Sequence, residues 1–136
     1  MAEDDSGFTA SPRSWGKKFA DAFLGVAHGV SGQSSFVVHL CVATIVIVAA
    51  AWLRVDRLEW SLLLLSITVV LAAEMFNSAI ETISRAIDAE YNASLERGLN
   101  IASAAVLVTA IGAVAIGVIV LGYRIGARLE WWQATP

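Results

Sequence analysis

The sequence predicts an all-α membrane protein with an N-terminal amphipathic surface helix and three transmembrane helices. Three observations carry this prediction. Apolar residues make up 57% of the 136 residues and charged ones only 15%, well below the ~25% of a soluble domain. Three apolar runs, within residues 36–53, 60–88 and 101–123, suit the ~20 residues a helix needs to cross the hydrocarbon. Short polar stretches separate those runs, which makes the helices antiparallel neighbours. The net charge of −3 gives no basic field for nucleic acid. The single Cys41 excludes an intrachain disulfide.

Residues 1–13 are polar, with Gly7, Ser11 and Pro12, and read as a disordered tail. They include no apolar h-region of a secretory signal. Residues 14–30 read as an amphipathic interfacial helix, with Ser14 as its cap. Trp15, Phe19, Ala22, Phe23, Val26 and Val30 fall on one face, and Lys17, Asp21, Gly25 and His28 on the other. Such a helix lies on a membrane with its aromatics down and its lysines near lipid phosphates. The same periodicity also suits packing against the protein's own bundle.

Residues 31–136 form the three-helix transmembrane domain. Residues 36–53 are almost continuously apolar, with His39 as the one strongly polar side chain. A lone His in a span reads as an interhelical hydrogen-bonding residue before it reads as a ligand. Residues 54–59 are a short charged turn. Trp60 opens the second span at interface level, and the absence of Gly or Pro lets that helix run to about Asp88. Residues 89–98 read as a polar connection, and 101–123 as the third span.

Ala72, Ala73, Ala79, Ser103, Ala104, Ala105, Gly112, Ala115 and Gly117 allow close helix approach in lipid. Three thin helices give little cover to charged groups, which points to a homo-oligomer. With the N-terminus inside, Arg13, Lys17, Lys18, Arg85 and Arg97 face Arg54, Arg57, Arg124 and Arg128 across the membrane. That balance is close under the positive-inside rule, and the early lysine pair favours a cytoplasmic N-terminus.

The chemistry concentrates on the second span. Glu74, Asn77, Ser78 and Glu81 follow i, i+3, i+4, i+7 spacing and form one polar stripe about 10 Å long. A lipid-facing carboxylate costs at least ~2.5–3.5 kcal/mol on insertion scales, so one within a span faces protein, water or a cation. Two carboxylates and a carboxamide suit Mg2+ shared with substrate phosphates. A carboxylate at low dielectric also suits general base catalysis on a hydroxyl. The alternative for the stripe is a polar seam between helices. Asn92-Ala93-Ser94 matches a glycosylation sequon, but sits in a short turn and is discounted.

Glu74-x-x-Asn77-Ser78-Ala79-Ile80-Glu81 resembles the signature of the prokaryotic diacylglycerol kinase and undecaprenol kinase family. Phe36-x-x-His39-Leu40, Glu90-Tyr91, Arg97 and Ser103-Ala104-Ala105-Val106-Leu107 extend the likeness over roughly residues 15–123. The resemblance implies a homotrimer of three-span protomers in the bacterial inner membrane, with active sites between protomers. It implies Mg2+-dependent transfer of the ATP γ-phosphoryl group to a membrane lipid alcohol, diacylglycerol or a polyprenol. On it, Glu74 is the general base, Glu81 the metal carboxylate, and Asn77, Gln33, Asn100 and Tyr91 belong to the nucleotide side.

Five positions, at three places in the chain, depart from the family pattern. Gln33 stands where the resemblance implies a second metal carboxylate, Leu99-Asn100 where it implies a Lys-Asp pair, and Ser84-Arg85 where it implies Val-Asp. Phosphoryl transfer depends on electrostatic stabilisation, and loss of one stabilising group elsewhere costs ~2.7–4 kcal/mol. The pattern therefore predicts a lipid kinase with a less charged site. The alternatives are a non-catalytic lipid-binding or assembly subunit and an ion-conducting bundle.

Overall fold

A computed structural model describes residues 14–31, 34–87 and 92–129. The described chain is all-helical: α1 Trp15–Val30, α2 Ser34–Leu53, α3 Arg57–Ile87 and α4 Ala93–Arg128. The last three are long and apolar enough to cross a membrane. The expected N-terminal tail, Gln33 and Tyr91 lie outside the described residues.

Several helix boundaries have a local cause. Ser14 caps α1, its hydroxyl accepting from the Lys17 N–H at 3.4 Å. At the end of α2, the N–H of Val55 donates to Ala50 and that of Arg54 to Ala51, both at 3.2 Å. This is a Schellman closure, with Arg54 at φ 54° in the left-handed position that usually holds glycine. Asp56 and Glu59 then open α3 as a reciprocal capping box: Glu59 N–H to Asp56 Oδ1 at 3.0 Å, Asp56 N–H to Glu59 Oε2 at 2.8 Å.

The fourth helix differs from the expected span. It starts at Ala93, not near residue 101, because Asn92 caps it: Oδ1 accepts from Ser94 and Leu95. The stretch read as a polar connection is thus partly its first two turns. Gly98 costs a helix interior only ~1 kcal/mol, too little to stop it.

α3 and α4 form the most extensive pair, and α2 packs on both. A buried apolar cluster joins the three helices: Ala50 and Leu53 of α2, Val55 of the turn, Leu63 of α3 and Val120 of α4. Lipid tails are as apolar as these side chains, so close packing rather than exclusion of water holds helices together in a bilayer. Polar contacts reinforce the same end. Arg124 Nε on α4 donates to both carboxylate oxygens of Glu59 at 2.8 and 2.9 Å, and a second nitrogen reaches Asp56 at 3.1 Å. Arg128 donates to the Trp52 carbonyl at 2.7 Å and lies 4.8 Å from the centre of its ring.

α1 touches the bundle through α3. Gly29 faces Met75 so closely that a Cβ there would sit 2.5 Å from the Met75 sulfur. The aromatic face turns away from the bundle: Trp15, Phe19 and Phe23 are 74%, 62% and 76% exposed. Within this chain, α1 meets α3 at its Gly29 end and leaves these aromatics uncovered. Lys18 folds over Trp15 at 4.6 Å.

Between α2, α3 and α4 runs an apolar groove of about 610 Å³. His39 lines its wall with Ser66 among Val, Leu, Ile, Ala and Gly side chains, a groove position where an interhelical hydrogen bond was expected.

Candidate active site

On α3 the buried positions Leu63 and Val70 recur every seven residues, and the next in the series is Asn77. The packing stripe of the helix thus turns polar partway along. Glu74, Asn77 and Ser78 are all buried, and Glu74 retains only 2% of its exposure.

Two sets of hydrogen bonds organise the stripe. The Ser35 hydroxyl, in the first turn of α2, donates to Oε1 of Glu74. One turn further along, Ser103 on α4 donates to Asn77 Oδ1 at 3.4 Å. Asn77 Nδ2 donates to Glu81 Oε1 at 3.0 Å, and Arg85 donates to Glu81 Oε2 at 3.2 Å. Three helices therefore contribute to the constellation. Ser78 Oγ is buried with no hydrogen-bond partner among the described residues, and leaving such a group unmatched costs ~1–3 kcal/mol.

Exposure rises steadily along this face. Glu74 is buried, the Glu81 side chain is 26% exposed and that of Arg85 is 75% exposed. Glu74 lies deep and Arg85 near the end of α3. The cover that the sequence reading sought from a second copy comes, for Glu74, from this chain's own α2.

The expected nucleotide-side residues are less gathered. Asn100 is exposed on α4, one turn before Ser103, and Leu99 is half-buried. No group of three or more His, Cys, Asp or Glu side chains converges among the described residues. Ser35 and Ser103 went unrecognised as partners of the stripe. Ser35 carries no distinguishing signal ahead of the first apolar run, and Ser103 reads as a small packing residue.

The prokaryotic diacylglycerol kinase family profile matches residues 20–121, which holds the whole stripe and its partners. The diacylglycerol kinase of Escherichia coli K12 is 31% identical over 126 residues, covering 93% of this chain and all of that protein. This chain belongs to the prokaryotic diacylglycerol kinase family. The diacylglycerol kinase of Shigella flexneri has the same identity and coverage. That of Synechocystis sp. is 29% identical over 100 residues, which is 73% of this chain and 57% of the relative. Membership supports a lipid kinase function, with ATP and a lipid as substrates, in an integral membrane protein. It favours this over a non-catalytic subunit that only keeps the fold.

Proposed function

We propose that this chain phosphorylates the hydroxyl of a membrane lipid alcohol, diacylglycerol or a polyprenol, with Glu74 as general base. The observation that supports this reading is the graded stripe on α3. A buried carboxylate, held by Ser35, stands at the lipid end of a face that opens to water at Arg85. The acceptor oxygen forms a bond to the γ-phosphorus of ATP while the bond to the ADP oxygen breaks. Glu74 takes the hydroxyl proton, and ADP leaves on the aqueous side.

The donor chemistry fits Mg2+. This ion is bound through one or two carboxylates with substrate phosphates supplying further oxygens, so a large cluster of protein ligands is not needed. Glu81 would hold it, and the ion would neutralise charge on the phosphates. Asn77 orients Glu81 through its Nδ2. Gln33, Asn100 and Tyr91 serve the nucleotide side in this reading.

The protein would work as a homotrimer in the bacterial inner membrane, its N-terminus cytoplasmic. In that arrangement α1 lies in the interface, with Trp15, Phe19 and Phe23 among the lipids and Lys17 and Lys18 near their phosphates.

The test is phosphorylation of a lipid panel from labelled ATP by purified protein, with diacylglycerol, ceramide-like and polyprenol acceptors. Incorporation should require Mg2+ and vanish in Glu74→Gln while ATP binding persists. Absence of both turnover and ATP binding sinks the reading.

A further inference from the structure

The stripe ends in a cation that the mechanism above leaves unused. Arg85 holds Oε2 of Glu81 at 3.2 Å while Asn77 holds Oε1 at 3.0 Å. We propose that Arg85 is a phosphate-binding residue that exchanges partners. It pairs with Glu81, and turns to the nucleotide's phosphates when a divalent cation takes that carboxylate. The inference rests on Glu81 as the carboxylate of the bound cation.

Electrostatics requires such a group. Glu74 and Glu81 make this face of α3 anionic, and a nucleoside triphosphate approaching it is repelled unless cations intervene. On α4, position 99 offers half-buried Leu and position 100 a neutral Asn. Among the described residues, Arg85 is a cation in direct contact with the stripe.

Geometry makes the exchange feasible. Arg85 and Glu81 are four residues apart, hence neighbours on one helix face. Side-chain rotation alone carries the guanidinium from the carboxylate to a ligand beside it. An exposed i, i+4 pair is weak, so little holds Arg85 back, and its side chain is 75% exposed. A guanidinium also presents paired donors that match phosphate oxygens. Arg85 is one turn farther than Glu81 from buried Glu74, so it serves the phosphates remote from the transferred group.

The experiment measures ATP binding, with and without Mg2+, to the purified full chain and to Arg85→Gln and Arg85→Lys, alongside steady-state phosphorylation. Arg85→Gln should weaken MgATP binding and raise KM about tenfold or more, with kcat changed far less. Arg85→Lys should recover part of the affinity. Mn2+ binding without nucleotide, followed by electron paramagnetic resonance, should tighten in Arg85→Gln, because a competitor for Glu81 is gone. Unaltered ATP affinity in a folded Arg85→Gln protein overturns the proposal. So does a loss confined to thermal stability, which marks a merely structural ion pair. A parent chain that binds ATP without phosphorylating any lipid refutes the kinase reading while the binding comparison still decides the role of Arg85. A parent chain that does not bind ATP overturns both.

Discussion

The hydroxyl of Ser35 donates to Oε1 of Glu74, so the first turn of α2 holds a carboxylate beyond the midpoint of α3. A buried carboxylate with one oxygen engaged has a defined orientation, and its other oxygen points where the surrounding helices allow. Proton acceptance from a hydroxyl is sensitive to such placement. With Glu74 as the proposed base, Ser35 is its positioning residue.

Ser35→Ala should lower kcat roughly tenfold, the scale of one hydrogen bond to a charged group, and leave KM for ATP nearly unchanged. Ser35→Thr, which keeps the hydroxyl, should restore much of the rate. Steady-state kinetics on both variants checks this. Equal losses in kcat and ATP affinity contradict a role specific to Glu74.

Replacing Leu99 by Lys and Asn100 by Asp, together with Gln33→Glu, should raise kcat/KM about tenfold or more, since each added charge acts on phosphate or its cation. The outcome is read in the lipid phosphorylation assay. An unchanged or lower rate means that the existing set, Arg85 included, is already sufficient for this site.

Arg54→Gly should stabilise the bundle by about 1 kcal/mol. Arg54 stands at φ 54°, a conformation that costs a residue with a Cβ ~1–2 kcal/mol and glycine almost nothing. Its N–H bond to Ala51 survives the change because it belongs to the backbone. Reversible unfolding in detergent measures the difference, and a destabilised variant would mean that the arginine side chain does more than tolerate its conformation.

Arg124→Gln and Glu59→Gln should each lower Tm by several degrees, and the double substitution by less than the sum. Arg124 Nε bridges both oxygens of Glu59, and the side chain also reaches Asp56. Removing either partner strands the other among helices. Additive effects in the cycle show that the pair is incidental.

Much of the architecture was legible because apolar run length and helical periodicity are local properties. Ser14 was identified as a cap, and the spans on α2 and α3 agree with the sequence reading within a few residues. The start of α4 was missed because Asn92 was weighed as a glycosylation sequon, although the same residue type is a strong helix cap. Asp56-x-x-Glu59 carried a capping-box signature that was read only as a charged turn. The α3 stripe was visible through its spacing, whereas its partners were not. Ser35 and Ser103 lie 39 and 26 residues from the groups they contact. Their hydroxyls look the same in sequence as those of Ser61 and Ser66, which bond their own helix backbone. The pairing of Arg124 with Glu59, 65 residues apart, was equally hidden, because charge bias across a membrane counts residues and ignores whom they meet.

The rise in exposure from Glu74 to Arg85 has a kinetic consequence. The two reactants are counted in different units. With Glu74 as the proposed base, a lipid acceptor reaches it laterally, so its supply is set by its mole fraction in the surface. In the proposed exchange ATP reaches Arg85 from bulk solution, so its supply is set by molarity. Adding inert detergent or lipid at fixed total acceptor dilutes the first and leaves the second alone. Such an enzyme slows when its micelles are enlarged, with every soluble concentration held constant.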